Sequence, residues 1–137
     1  MTKERQQAEQ QWVREQFQKA NKFLAEKGVV PGKVLDKESR ILPPFLTLWL
    51  IQENTPRKRQ YWVITGDLPS DMVEASQIKD AREALRQFSL TWQLKAEGIL
   101  LNNPDKTQTD FAKLMISRAE SMASMHMKDD LWGEMTV

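Results

Sequence analysis

The chain has 137 residues, with 20 Lys and Arg against 19 Asp and Glu, one His and no Cys. Its length is that of one ordinary domain, and the missing cysteine excludes disulfide frameworks, thiol nucleophiles, zinc ribbons and iron–sulfur clusters. A single His excludes two-His metal motifs, and a formal net charge of +1 gives no electrostatic pull toward nucleic acid, so no nucleic-acid partner is expected.

The first seven residues, Met1-Thr2-Lys3-Glu4-Arg5-Gln6-Gln7, are polar, without the apolar core of about 7–15 residues that a secretory signal carries. The longest apolar run, Leu48-Trp49-Leu50-Ile51, falls far short of the ~20 residues that span a bilayer. The expectation is a cytoplasmic protein with no membrane partner.

Residues 3–27 hold no Gly or Pro and are dense in Gln, Glu, Lys and Ala, whose side chains lose little rotamer freedom in a helix. Trp12, Val13, Phe17, Ala20 and Leu24 recur at helical spacing, and Gly28 stands where a left-handed terminating residue is wanted. A helix is predicted from about residue 8, with 1–7 frayed. Over 29–44, Pro31-Gly32 reads as a turn, and Val34-Leu35 and Arg40-Ile41-Leu42 as short edge-strand pieces; Pro43-Pro44 blocks any helix.

Residues 45–52 and 60–66 are two β-prone runs around a polar, Pro-containing connection, which predicts an antiparallel hairpin. The first run is apolar on both faces, so helices or a partner subunit must cover it. Trp49 and Trp62 are expected to pack across the two strands. Arg57-Lys58-Arg59 at the tip reads as a solvated cluster that keeps the edge soluble.

From Ser70 to Leu101 the pattern is helical, with a break allowed near Ser76. Ile78, Ala81, Leu85, Phe88, Trp92 and Ile99 form its apolar stripe, widened by Leu90, Leu94 and Leu101. Asn102-Asn103-Pro104-Asp105 ends it, and Thr107-Gln108-Thr109-Asp110 has the form of a helix cap. Phe111, Leu114, Met115, Met122 and His126 then carry the apolar side of a last helix. Leu131 and Trp132 are expected to dock, with 133–137 frayed. The order is α-β-β-α-α: one small α+β domain over residues 1–137, a hairpin covered by helices, with room for a third short strand.

The most site-like segment is the loop 65–71. It leaves a buried strand and enters a helix, and Thr65, Asp67, Ser70 and Asp71 gather there with Trp62 and Arg82 nearby. A small-molecule site or an enzyme at these residues is one reading. The plainer one makes Asp71 the N-cap of a helix, with Glu74 its acidic partner three residues on. No residue stands out as catalytic: there is no Gly-rich phosphate loop and no Gly-x-Ser-x-Gly elbow. Met122, Met125 and His126 share a helix face and are suitable Cu(I) ligands. The plainer reading of these methionines is packing, so no metal and no cofactor are expected.

Three stretches carry a family likeness: Trp12-Val13-Arg14-Glu15-Gln16-Phe17 with Ala20-Asn21-Lys22; Tyr61-Trp62-Val63-Ile64-Thr65-Gly66-Asp67-Leu68-Pro69; and Ala81-Arg82-Glu83-Ala84-Leu85-Arg86 leading to Trp92-Gln93-Leu94-Lys95-Ala96. Together they resemble a family of short, uncharacterised bacterial proteins known only as a domain of unknown function. The resemblance implies a stand-alone domain and brings no activity, cofactor or site residue with it. The leading expectation is therefore a non-enzymatic interaction module acting as a homodimer, with a further, unidentified protein partner allowed. Its ground is a doubly apolar hairpin that a second copy would complete or cover.

Overall fold

The computed structural model describes residues 2–133, so the expected fraying of 134–137 lies outside the described residues, as does that of Met1. Three helices and a five-stranded antiparallel sheet, helix first, make the α+β class. The chain divides into two compact units, Met1–Ala81 and Arg82–Val137.

In the first unit, helix α1 (Lys3–Glu26) begins earlier than its stripe suggests. Thr2 caps it, its hydroxyl accepting the Arg5 N–H at 3.2 Å, so residues 3–7 are helical rather than frayed. Gly28, at φ +84°, ends the helix in the left-handed conformation that favours glycine. The chain then enters β1 (Pro31–Val34), so Pro31-Gly32 lies in a strand instead of a turn, and β2 (Arg40–Leu42) follows.

Strands β3 (Leu46–Glu53) and β4 (Gln60–Gly66) form the expected hairpin, and β5 (Asp71–Glu74) extends it. The sheet order is β1-β3-β4-β5, with β2 sharing the β1 edge of β3. β1 pairs near Ile51 and Glu53, β2 at 46–48, and Leu50 falls between them. Its N–H donates to Ser39 Oγ at 2.9 Å and its carbonyl accepts from Leu35 N at 2.8 Å. Ser39 in turn donates to the Leu35 carbonyl at 2.9 Å. One buried hydroxyl thus replaces the missing ladder bond between two strand fragments, as buried backbone groups require.

The register sets Trp49 opposite Val63 and Leu50 opposite Trp62. Because side chains alternate along a strand, the two tryptophans project to opposite faces, and the expected cross-strand pair does not form. Trp49 instead meets the edge of Phe17 on α1, ring centres 5.3 Å apart. Ala20 and Leu24 of α1 complete that layer over Ile51, Tyr61 and Val63. Leu48, Leu50, Trp62 and Ile64 on the other face are buried too, so the whole of 46–51 is removed from solvent within one chain. Five strands stand where two or three were expected.

The helix predicted from Ser70 does not start there. Asp71–Glu74 is β5, pairing Asp71 with Ile64 and Val73 with Trp62. A short 3₁₀ turn, Ala75–Gln77, follows, close to the allowed break, and the helix α2 runs Ala81–Leu101. Asp71 is therefore a strand residue and not a helix cap.

The second unit is built on α2 and α3 (Lys106–His126). α3 is capped by Asp105, which accepts from Gln108 N at 2.8 Å, while Gln108 Oε1 accepts from Asp105 N at 3.0 Å. That reciprocal box displaces the expected Thr107 cap by two residues. The buried side of α3 is Ala112, Met115, Ala119 and Met122, at 3-4-3 spacing, and Phe111 and Leu114 are exposed rather than buried. Ser89 of α2 donates to the Ala119 carbonyl at 2.9 Å. After the 3₁₀ turn Asp129–Leu131, Trp132 docks as expected, 3% exposed.

Candidate functional site

The residues nominated by sequence separate. Trp62 and Thr65 are three apart on β4 and so face opposite sides of the sheet. Thr65 is fully buried, its hydroxyl 2.6 Å from that of Thr47 directly across the hairpin. Gly66, at φ +142°, brings the chain so close to β3 that a Cβ there would strike the Phe45 carbonyl. The next residue, Asp67, donates its backbone N–H to that same carbonyl at 3.0 Å and lies exposed on the β4–β5 turn with half-buried Ser70. Asp71, on β5, accepts the Met72 N–H at 2.8 Å. The loop thus joins two strands, with the Thr65 hydroxyl in a buried hydrogen bond and the Asp71 carboxylate on the next backbone N–H.

Arg82 belongs to the second unit and has structural work there. Its Nε donates to the His126 carbonyl at the end of α3 at 3.0 Å, and a terminal N–H donates to Asp129 at 2.8 Å. The guanidinium lies over the Trp132 ring, 5.9 Å from its centre, while the Trp132 indole N–H donates to the Met125 carbonyl at 3.1 Å. A helix C-terminus presents unpaired carbonyls and negative partial charge, which a cation satisfies. The Met and His residues singled out by sequence fall in the same stretch, with Met122 fully buried in the packing. Among the described residues, no three His, Asp or Glu side chains cluster so as to hold a metal ion.

At the hairpin tip, Arg59 is tied back to the strands. Its backbone N–H reaches Glu53 at 3.2 Å and its guanidinium lies 3.9 Å from the same carboxylate. The hydrogen bond to Tyr61, with the field of Tyr61 and of Glu53 behind it, holds the guanidinium above its ordinary range. Of the basic cluster, Arg59 clasps the hairpin, and Arg57 and Lys58 are exposed.

Two features escaped the sequence reading. The first is an open groove of ≈ 900 Å³ between the early turns of α1 and the β2 segment, lined by Gln6, Glu9, Val13, Arg14, Ile41 and Pro43 among others. Gln16, a turn further along α1, is buried with its Oε1 unpartnered, and so is the indole N–H of Trp49 on the strand face that α1 covers. The second is a row of leucines along α2. Leu90, Leu94 and Leu101 are 43%, 69% and 82% exposed, although their spacing reads as a widened buried stripe. Leu85, Phe88, Trp92 and Ala96 are the buried side, and the leucine row lies on the opposite side of the helix. Singly exposed leucines are ordinary; these three share one face of the helix.

Among the described residues no helix is long and apolar enough to cross a membrane. A family model described as Domain of unknown function (DUF4826) matches residues 5–132. No curated protein and no solved structure matches the chain significantly.

Proposed function

We propose that this chain, which belongs to the family described as Domain of unknown function (DUF4826), is a non-enzymatic protein-interaction module that acts in the cytoplasm as a homo-oligomer. The observation that carries this reading is the α2 leucine row. It replaces the original ground for a second copy, since the hairpin already sits in a five-stranded sheet with both faces buried.

Light scattering over a concentration series tests the reading. The wild type is expected to approach twice the chain mass, and Leu94→Glu to stay monomeric with its circular dichroism unchanged. A wild-type monomer throughout contradicts it.

A further inference from the structure

We infer that the partner seated on the α2 leucine row is a second copy of this chain, with the two α2 helices antiparallel and crossing midway between Leu90 and Leu94. The inference rests on the homo-oligomer reading and adds the helix, its direction and its register.

The argument starts from helical geometry. At about 100° per residue, Leu90, Leu94 and Leu101 fall within an arc of about 40°. The face opposite is committed to the chain's own interior through Phe88, Trp92 and Ala96, so this arc is the part of α2 turned furthest from it. Leu90 and Leu94 are four residues apart, and an antiparallel partner sets each against the other's equivalent: Leu90 on the partner's Leu94 and the reverse.

Charge fixes the direction. Arg86 and Glu97 are both exposed, and both lie on the same flank of the leucine arc, about 20° apart around the helix. Measured along the axis at about 1.5 Å per residue, Arg86 lies ~9 Å before the midpoint at residue 92 and Glu97 ~7.5 Å after it. A twofold axis through that midpoint, perpendicular to the plane of the two helices, keeps each flank on its own side and reverses the axial order. Arg86 then stands beside the partner's Glu97, twice per dimer. In a parallel pair the twofold axis runs along the helices and sets equivalent residues at one height on opposite flanks, so Arg86 and Glu97, about 16.5 Å apart along the axis, form no pair. The leucine register and the charge register agree to within one residue, the first summing to 184 (90 and 94) and the second to 183 (86 and 97). Arg86 also bonds Glu83 of its own helix at 3.2 Å, a residue that lies in line with the leucine arc.

The test is a pair of charge reversals, Arg86→Glu and Glu97→Arg, measured by sedimentation equilibrium alone and mixed. Each variant alone places two like-charge pairs across the seam and is expected to dimerise at least about tenfold more weakly than wild type. An equimolar mixture restores both opposite-charge pairs, so it is expected to form heterodimers with near wild-type affinity and with an affinity that falls as salt rises. Two results overturn the inference while leaving the homo-oligomer reading standing. One is a dimer that Leu94→Glu dissociates but neither charge reversal weakens. The other is a dimer indifferent to Leu94→Glu, which places the seam elsewhere. A wild type that stays monomeric overturns both.

Discussion

Thr47 and Thr65 stand directly opposite each other on β3 and β4, hydroxyl oxygens 2.6 Å apart, with no exposed surface on either. Each hydroxyl has the other as its partner, so the pair should be judged as a unit. Thr65→Val or Thr47→Val alone leaves a buried hydroxyl unsatisfied and is expected to cost about 1–3 kcal/mol. The double substitution removes both polar groups at nearly constant volume and is expected to cost less than the sum of the singles. Denaturant unfolding of the four proteins measures that coupling; strict additivity would show that the hydroxyls do not depend on each other.

Ser39 offers a second check, because its hydroxyl both accepts from Leu50 N–H and donates to the Leu35 carbonyl. Ser39→Ala orphans a buried backbone donor on the central strand, and the expected loss is about 1–3 kcal/mol. Amide hydrogen exchange at Leu50 is expected to accelerate more than at Val63, which sits on the intact β3–β4 ladder.

Gly66 combines a φ of +142° with close approach to the Phe45 carbonyl. Gly66→Ala is expected to destabilise by about 1–3 kcal/mol, since neither the backbone nor the neighbouring carbonyl has room to yield. Thermal unfolding measures it, and an unchanged midpoint would mean that the β4 exit relaxes at no cost.

The Arg82 contacts separate a weak interaction from stronger ones. Asp129 is 91% exposed at its side chain, so Asp129→Ala is expected to change stability by about 0–1 kcal/mol. Arg82→Ala removes the hydrogen bond to the His126 carbonyl and the stacking over Trp132 as well, and is expected to cost about 1–3 kcal/mol. Unfolding curves for the two variants decide the ranking. Equal losses would put the stability in the ion pair.

The parts of the fold that were legible are those whose signals are local. The uninterrupted helix formers of α1, the left-handed Gly28 and the two β-prone runs around 54–59 each carry their structure within a few residues. β5 was not legible, because Asp71-Met72-Val73-Glu74 presents an acid at each end and looks like a helix start; pairing with β4, a tertiary effect, overrides that. On α2 bulky residues occur nearly all round, and periodicity alone does not say which side the protein buries. At α3 two capping signals overlap, and the reciprocal box at Asp105 and Gln108 wins. Of the nominated loop residues, Trp62 and Thr65 part on parity, since residues three apart on a strand cannot face the same way.

The central claim is that α2 presents its leucines to a second copy of the chain. It is tested most directly by sedimentation equilibrium of the wild type and of Leu94→Glu, from about 1 to 200 µM. The account predicts a monomer–dimer equilibrium for the wild type and a folded monomer for the variant. A wild type that remains monomeric at every concentration, or a variant that dimerises as well as the wild type, would contradict it.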